Sequence, residues 1–417
     1  DWTWLNKLSY SKTFGQNTIN ILAFNEYSEG GFHSYWLESK GYSSPLLTTQ
    51  ENSAEPEATI TRRGEYSMWS MAGQADYDFD EKYLISASIR RDGASRFGQD
   101  SKYGVFWSAS LGWNLAKESF FTLDMVDKAK FIVSYGTLGS WNIPNYASQG
   151  YYSFGSYGGQ SSALIKTNIG NAELTWEAQK SFNAGLEFGL FENRLNGVVD
   201  YFVNTRSDFL FENPLGWEGG GYTQYDNAGE MQTKGLEFNL SGDIVRTQNF
   251  KWNVSANISL LDYTINELSG QEQIVVDGIS ILKKGEEPFT FYLPKYAGVD
   301  PDNGDPLYYD LDGNETNVFS SGYSQILSDK SPLAKTYGGF STYLNFKGLD
   351  LNVDFSFKTG NYILNIMKYY MMNSDNWTSN LRTDALDYWQ EPGDDKLPAL
   401  GHSSHFTDQF LQDGSYL

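Results

Sequence analysis

The chain has 417 residues, enough for two or three ordinary domains or for one unusually large β-architecture. With 30 Lys and Arg against 52 Asp and Glu, its net charge of −22 excludes the basic face that a nucleic-acid binder needs to neutralise phosphates. A Cys count of 0 excludes disulfide scaffolds, Cys-ligated zinc, iron–sulfur sites and a Cys nucleophile.

Aromatic residues make up 16 % of the chain and charged residues only 20 %, a composition that packs rather than staying disordered. No apolar run approaches the roughly 18–20 residues of a transmembrane helix. Spanning by strands stays open, because strands that alternate in polarity never look hydrophobic in a window. The chain opens at Asp1 without a Met or a signal peptide, and it closes at Leu417 just after the strand start Gly414-Ser415-Tyr416. Both ends read as cuts.

Period-2 alternation is the dominant signal along the chain. About twelve segments of roughly 10–16 residues carry it, which is long against the usual strand of about five or six. They lie near 2–11, 17–27, 64–79, 82–92, 103–115, 129–138, 176–190, 194–206, 230–245, 250–262, 337–346 and 349–359. In the fifth, Val105, Trp107, Ala109, Leu111 and Trp113 alternate with Ser108, Ser110, Gly112 and Asn114. In the seventh, Phe182, Ala184, Leu186, Phe188 and Leu190 alternate with Ser181, Asn183, Gly185, Glu187 and Gly189. In the tenth, Trp252, Val254, Ala256, Ile258 and Leu260 alternate with Asn253, Ser255, Asn257 and Ser259. In the last, Leu351, Val353, Phe355 and Phe357 alternate with Asn352, Asp354, Ser356 and Lys358.

Two features favour a transmembrane barrel over a soluble sandwich. The polar face is rich in Ser, Asn and Gly, while the apolar face is nearly free of charge, as expected when lipid faces the apolar side and the lumen is polar. The connections also alternate in length. Short ones carry turn chemistry at Gly15-Gln16-Asn17, Asp78-Phe79-Asp80, Phe191-Glu192-Asn193 and Lys347-Gly348. Long ones fall near 28–63, 139–175, 207–229, 263–336 and 360–415, with 93–102 modest for the long side and 116–128 long for the short side. Short turns at one end and long loops at the other are what an outer-membrane barrel requires, and closure removes edge strands. The rivals are a secreted β-sandwich that binds or cleaves glycans, and a passive porin. A barrel leaves Val254, Ile258, Phe355 and Phe357 accessible, whereas a sandwich buries them. The spacing of Ile363, Ile366, Met367 and Tyr370 predicts a short helix within 361–373, while Tyr151–Gly159 reads as a low-complexity Gly/Ser/Tyr stretch.

The candidate binding residues are aromatics of the long loops: Tyr35, Trp36, Trp141, Tyr146, Tyr151, Tyr152, Trp217, Tyr222 and Trp377. Their rings could stack on sugar faces, although loop packing and interfacial girdles use the same residues. Asp310, Asp312 and Asn314 have part of a calcium-loop spacing, but the remaining ligands are missing and an acidic turn is the better reading. His402, His405 and Asp408 would align on a helix, yet Gly401, Ser403 and Ser404 argue for a loop. Arg90, Arg91 and Arg96 with Asp92 and Asp100 read as a charge network at a strand end, and Glu187, Asp200, Glu237, Asp354 and Lys358 as solvated lumen charges. No catalytic constellation, metal site or cofactor motif stands out, so an enzyme is not expected.

Several spaced stretches carry a family resemblance. Arg90-Arg91-Asp92-Gly93-Ala94-Ser95-Arg96-Phe97-Gly98, followed by Lys102–Trp113, resembles a signature region of the SusC/RagA-type TonB-dependent outer-membrane transporters. Leu174–Asn183 with Gly185-Leu186-Glu187-Phe188 is similar to that family, as are Asn227-Ala228-Gly229-Glu230-Met231, Lys234-Gly235-Leu236-Glu237 and Asp300–Tyr309. The resemblance implies an all-β antiparallel barrel in the Gram-negative outer membrane, contacting its lipid, with residues 1–417 as one partial barrel domain. Barrels with about 22 strands and a plugged lumen occur among such transporters. It further implies a plug and final strands outside this sequence, a TonB-contacting segment, a SusD-like surface lipoprotein as partner, and import of oligosaccharides or peptides.

Overall fold

The computed structural model describes the chain except residues 48, 158–159, 216–221, 269, 374–379, 395 and 403–404, together with the side chains of 153–157, 160–167 and 214. Twelve long strands are hydrogen-bonded in chain order. They are β1 (Trp2–Phe14), β2 (Asn17–Lys40), β3 (Glu55–Phe79), β4 (Tyr83–Ala94), β5 (Tyr103–Asn114), β6 (Val126–Ser140), β7 (Glu177–Leu190), β8 (Leu195–Ser207), β9 (Glu230–Arg246), β10 (Phe250–Glu267), β11 (Thr336–Phe346) and β12 (Leu349–Thr359). Two compact units divide the chain, one formed by 1–118, 132–182 and 206–228, the other by 119–131, 183–205 and 229–417. Among the described residues no helix is long and apolar enough to cross a membrane.

In the first unit the antiparallel register sets Ile89 opposite Trp107 and Ile85 opposite Leu111. All four are exposed. The other face of the same pair is polar, with the Ser88 and Ser108 hydroxyls 2.7 Å apart. The second unit repeats the arrangement. Leu236 faces Leu260 and both are exposed. Phe340 and Phe355 are paired across β11 and β12 and stack at 4.6 Å. On the polar side the Ser255 and Ser341 hydroxyls lie 2.7 Å apart. Of the residues that separate barrel from sandwich, Phe355 is exposed and Val254, Ile258 and Phe357 are half-buried; none is packed away. Strand alternation therefore keeps the apolar set on the outside, the inverse of a water-soluble sandwich.

The short connections obey local chemistry. Lys347 and Gly348 both take positive φ, 49° and 88°, which is the geometry of the two-residue hairpin whose twist matches the strands. Phe191, Glu192 and Asn193 all adopt left-handed backbone. That conformation is held by Phe191 N–H donating to the Met125 carbonyl and Asn193 N–H donating to Asp127 Oδ2. The turn expected at 78–80 sits at 80–82, because β3 runs on through Phe79.

The long connections carry strands and short helical turns of their own. The expected loop 28–63 is largely strand: β2 and β3 pair to Lys40 opposite Glu55, with one register shift between Glu38 and Ser39. Within the Gly/Ser/Tyr stretch, Tyr151–Tyr157 is a strand paired with Gln160–Asn168, and 158–159 lie outside the described residues. The helix expected within 361–373 is shorter, α1 (Ile366–Met372). Asn365 caps it by accepting from Lys368 N–H at 2.7 Å. Ile363 lies instead in the strand Tyr362–Leu364, drawn out of the helix by pairing with Leu411–Asp413.

The two faces predict opposite responses to charge. Leu111→Arg, on the exposed apolar face, is expected to cost up to about 2–4 kcal/mol in lipid, while the neighbouring Ser110→Arg on the polar face costs little. Urea unfolding in lipid vesicles, read by heat-modifiable gel migration, measures both.

Candidate functional site

At the loop end of β4 and β5 in the first unit, residues far apart in sequence form one buried cluster. Ala94 and Phe97 come from the Arg-Asp-Gly stretch, Ile143 and Ala147 from the 141–147 loop, and Leu174 and Trp176 from the approach to β7. Trp176 packs on Phe97 at 4.9 Å and edge-on to Phe106 at 5.5 Å, and its indole N–H donates to the Lys102 carbonyl at 2.9 Å. Gly98 lets the chain pass here: a Cβ would collide with the Ala172 carbonyl, and Gly98 N–H donates to the Leu174 carbonyl. Asn227 closes the cluster with its amide. Its Oδ1 accepts from Thr175 N–H at 2.9 Å, while Nδ2 donates to the carbonyls of Thr175 and Asp208. The half-buried N–H and C=O of Thr175 are thereby satisfied by one side chain.

Arg96 lies above this cluster. Its guanidinium carbon is 4.4 Å from the Trp141 ring centre and 5.0 Å from that of Tyr66, and Nε donates to Asn145 Oδ1 at 2.8 Å. Cation–π contacts of this kind contribute roughly 0.5–2 kcal/mol each. Burial pulls the Arg96 pKa below its ordinary value, partly opposed by Tyr66. The expected charge network is thus split. Arg90 pairs with Asp92 at 2.6 Å and Arg91 stacks on Tyr103 at 4.6 Å, whereas Arg96 uses aromatic rings and Asp100 is exposed.

Beside the cluster a polar cleft of about 350 Å³ is lined by Ser140, Asn142, Glu177, Gln179, Arg206 and Leu210. Arg206 Nε lies 3.1 Å from Glu177 Oε1, and Glu177 Oε2 accepts from Leu210 N–H. The cleft therefore offers both signs of charge and two amides.

The loop aromatics divide. Trp141 is half-buried against the cluster. Tyr146 has φ 66°, and its hydroxyl accepts from Glu65 N–H at 3.0 Å. Tyr35 and Trp36 stand on the β2–β3 ribbon with 67 % and 62 % of their surface exposed. Tyr151 and Tyr152 are exposed at a strand start, and Tyr222 is half-buried. Trp217 and Trp377 lie outside the described residues. The structure brings Trp141 and Tyr146 to one loop beside Arg96. It leaves Tyr35 and Trp36 on the ribbon. Periodicity carried no signal for the cleft residues Glu177, Gln179 and Arg206, because they read as ordinary polar-face positions.

In the second unit Asp310 closes an acidic turn. Its Oδ1 accepts from Asp312 and Asn314 N–H at 2.9 and 2.8 Å, and Oδ2 accepts from the Asn314 amide. These bonds, above all that from Asn314, hold the Asp310 carboxyl below its usual range. His402, His405 and Asp408 do not converge. His402 lies by Asp305, His405 stacks on Phe319, and Asp408 accepts from Tyr296 N–H. Among the described residues no group of three or more metal-ligating side chains forms. Of the lumen charges, Glu187 pairs with Lys128 at 2.6 Å and Glu237 accepts from Ser259 at 3.1 Å.

Trp176→Ala is expected to destabilise the loop end by about 3–5 kcal/mol, since it empties the centre of a packed cluster. Trp36→Ala, on the exposed ribbon, stays within about 0.5 kcal/mol. Thermal melts combined with limited proteolysis of the 141–176 region compare the two.

A family model, "TonB dependent receptor-like, beta-barrel", matches residues 1–281. TonB-dependent receptor P3 of Formosa agariphila is 28 % identical over 450 residues, covering 99 % of this chain and 44 % of that protein. TonB-dependent receptor SusC of Bacteroides thetaiotaomicron is 26 % identical over 449 residues, covering 98 % and 42 %. The solved RagAB peptide transporter superposes with a TM-score of 0.85 at 28 % identity, covering 99 % of this chain and 47 % of that one. The chain thus spans less than half the length of these relatives. It belongs to the TonB-dependent receptor β-barrel family and, within it, to the SusC/RagA type of outer-membrane barrel.

Proposed function

We propose that residues 1–417 are part of the barrel of a TonB-energised importer of oligosaccharides or peptides, working with a SusD-like surface lipoprotein. The observation that carries the reading is the buried cluster at the loop end of β4 and β5. There the family-like stretches 90–98 and 174–176 meet in one packed unit beside a polar cleft. The relatives are named as TonB-dependent receptors, and the RagAB structures as a peptide transporter, which supports import rather than catalysis. A solute too large for simple diffusion needs a binding site, a gate and an energy source. The cleft and loop aromatics would supply the first, and regions of the whole protein outside this sequence the others.

The sheet edges support a larger barrel. Among the described residues β1 pairs with a strand on one side only, and the outer side of β12 carries a single bridge, Lys358 with Tyr416. Unpaired backbone groups in hydrocarbon cost several kcal/mol each, so each edge is to be closed by further strands of the same protein. A passive porin would need a complete barrel without a plug, and no observation favours it.

The test is uptake by cells of the source organism. Import of the cargo should fall to the level of a strain lacking the transporter when TonB is deleted or the proton gradient is collapsed, and also when the neighbouring lipoprotein gene is removed. Uptake that survives loss of TonB would overturn the reading in favour of a passive channel.

A further inference from the structure

In the first unit the exposed apolar face of β4 and β5 carries one formal charge. Ile85 and Ile89 face outward opposite Leu111 and Trp107, and by the same period of two Arg91 faces outward opposite Val105. On its other side Arg91 stands opposite Met71 of β3. All three of Arg91, Met71 and Val105 are exposed. Asp92, the next residue, belongs to the opposite face, where Arg90 holds it. Among the described residues Arg91 makes no ion pair and no hydrogen bond, and its guanidinium carbon lies 4.6 Å from the centre of the Tyr103 ring.

The strand fixes the depth of this charge. At the short-turn end, Tyr83 and Trp113 are paired and both donate to Glu118 Oε1, at 2.5 and 3.0 Å. A carboxylate shared by two belt aromatics marks the water-facing edge there. From Tyr83 to Arg91, β4 climbs about 20 Å, taking about 3.3 Å per residue and a tilt of about 40°, across an apolar band about 25 Å tall. Arg91 therefore stands near the far edge of the band, on the side of the long loops, where outer-leaflet headgroups begin.

An aromatic row lies just beyond it. Tyr27 pairs with Trp69, Trp69 with Gly93, and Gly93 with Tyr103. Gly93 has a physical reason to be there: a Cβ would strike the Tyr103 ring, so that ring lies over β4, within reach of Arg91. Trp69 meets the same ring edge-on at 6.2 Å and 81°.

This arrangement selects its occupant. A charge on the lipid face is destabilising within the hydrocarbon and least so at an interface. The guanidinium keeps its fork of N–H donors free, and stacking on Tyr103 fixes the plane of the fork, which matches a phosphate bidentately. Met71 and Val105 flank it with apolar surface, so the anion has to arrive on a lipid. The rings of Tyr27 and Trp69 stand beside it for the apolar C–H face of a sugar, which a phosphorylated glycolipid headgroup has and a glycerophosphate headgroup lacks.

We propose that Arg91, Tyr103 and Trp69 form a lipid-facing site for the phosphate-bearing sugar headgroup of an outer-leaflet glycolipid, with Arg91 taking the phosphate and Trp69 the sugar face. The site needs the barrel in its outer membrane and is independent of the importer reading.

The test uses the full-length transporter in mild detergent, titrated in parallel with bisphosphorylated lipid A, its dephosphorylated form and phosphatidylglycerol, with bound lipid counted by native mass spectrometry. The wild type is expected to hold one bisphosphorylated lipid A about tenfold more tightly than the dephosphorylated form. Arg91→Gln should erase that ratio and Tyr103→Leu should lower it about threefold. Lys347→Gln, which removes a charge from a short turn at the other end, should leave the ratio at its wild-type value. Heat-modifiable migration shows that each variant is folded, and where Arg91→Gln is not, the wild-type ratio and Tyr103→Leu carry the test. Equal wild-type affinity for the phosphorylated and dephosphorylated lipid overturns the site, as does an unchanged ratio in a folded Arg91→Gln or Tyr103→Leu. Phosphatidylglycerol held as tightly as lipid A overturns the glycolipid assignment. Uptake independent of TonB would remove the importer reading and leave this site standing.

Discussion

A backbone that sits in hydrocarbon must satisfy every N–H and C=O inside the protein, because no water is there to help. In this chain that requirement is met by long strands paired in order, and the rest of the architecture follows from it. Pairing in a sheet leaves alternate side chains on opposite faces. Lipid takes the face of Ile89, Leu111 and Phe355, and the polar lumen side takes Ser88, Ser108, Ser255 and Ser341. Turns at one strand end can be as short as Lys347-Gly348, since they need only reverse a hairpin. Whatever specificity the protein has must then be built from the long connections at the other end.

Those connections face the opposite problem. They lie outside the paired sheet, and an irregular loop with exposed carbonyls and amides gains little order on its own. The structure answers with small local cores. In the first unit the cluster around Phe97, Leu174 and Trp176 anchors the 141–147 loop, and Arg96 clamps Trp141 from above. In the second unit Phe291, Leu293 and Leu327 form a core of their own, packed against Tyr362, Leu364 and Leu411. Each core fixes a rim on which polar side chains can be held in advance of a ligand. Preorganisation of this kind spares binding the cost of ordering a loop.

The family-like motifs build this scaffolding. Gly98 is there because a Cβ would strike the Ala172 carbonyl, and Asn227 because its amide satisfies the backbone of Thr175 on both sides. The cleft at Glu177 and Arg206 offers paired charges, and the one at Asp305 and His402 sets a carboxylate beside an imidazole and an amide. Clefts of different chemistry thus stand on the loops of one chain.

Strand positions, the direction of the apolar face and the family were legible in the sequence, because alternation is a local pattern and each strand carries it complete. β5, β7 and β12 lie within a residue or so of their expected bounds. The β2–β3 ribbon was not legible beyond residue 27, since Gly30, Gly31 and His33 interrupt the alternation and only cross-strand pairing, down to Lys40 opposite Glu55, keeps those residues extended. Ile363 fitted a helix by spacing and became a strand because Gln412, 49 positions later, offered it a partner. The meeting of Phe97 with Trp176, and of Asp305 with His402, was likewise decided by tertiary structure alone. Contacts between residues so distant along the chain leave no periodic trace in it. The sequence by itself determined which faces meet lipid, whereas only the folded loops decided which polar groups stand together.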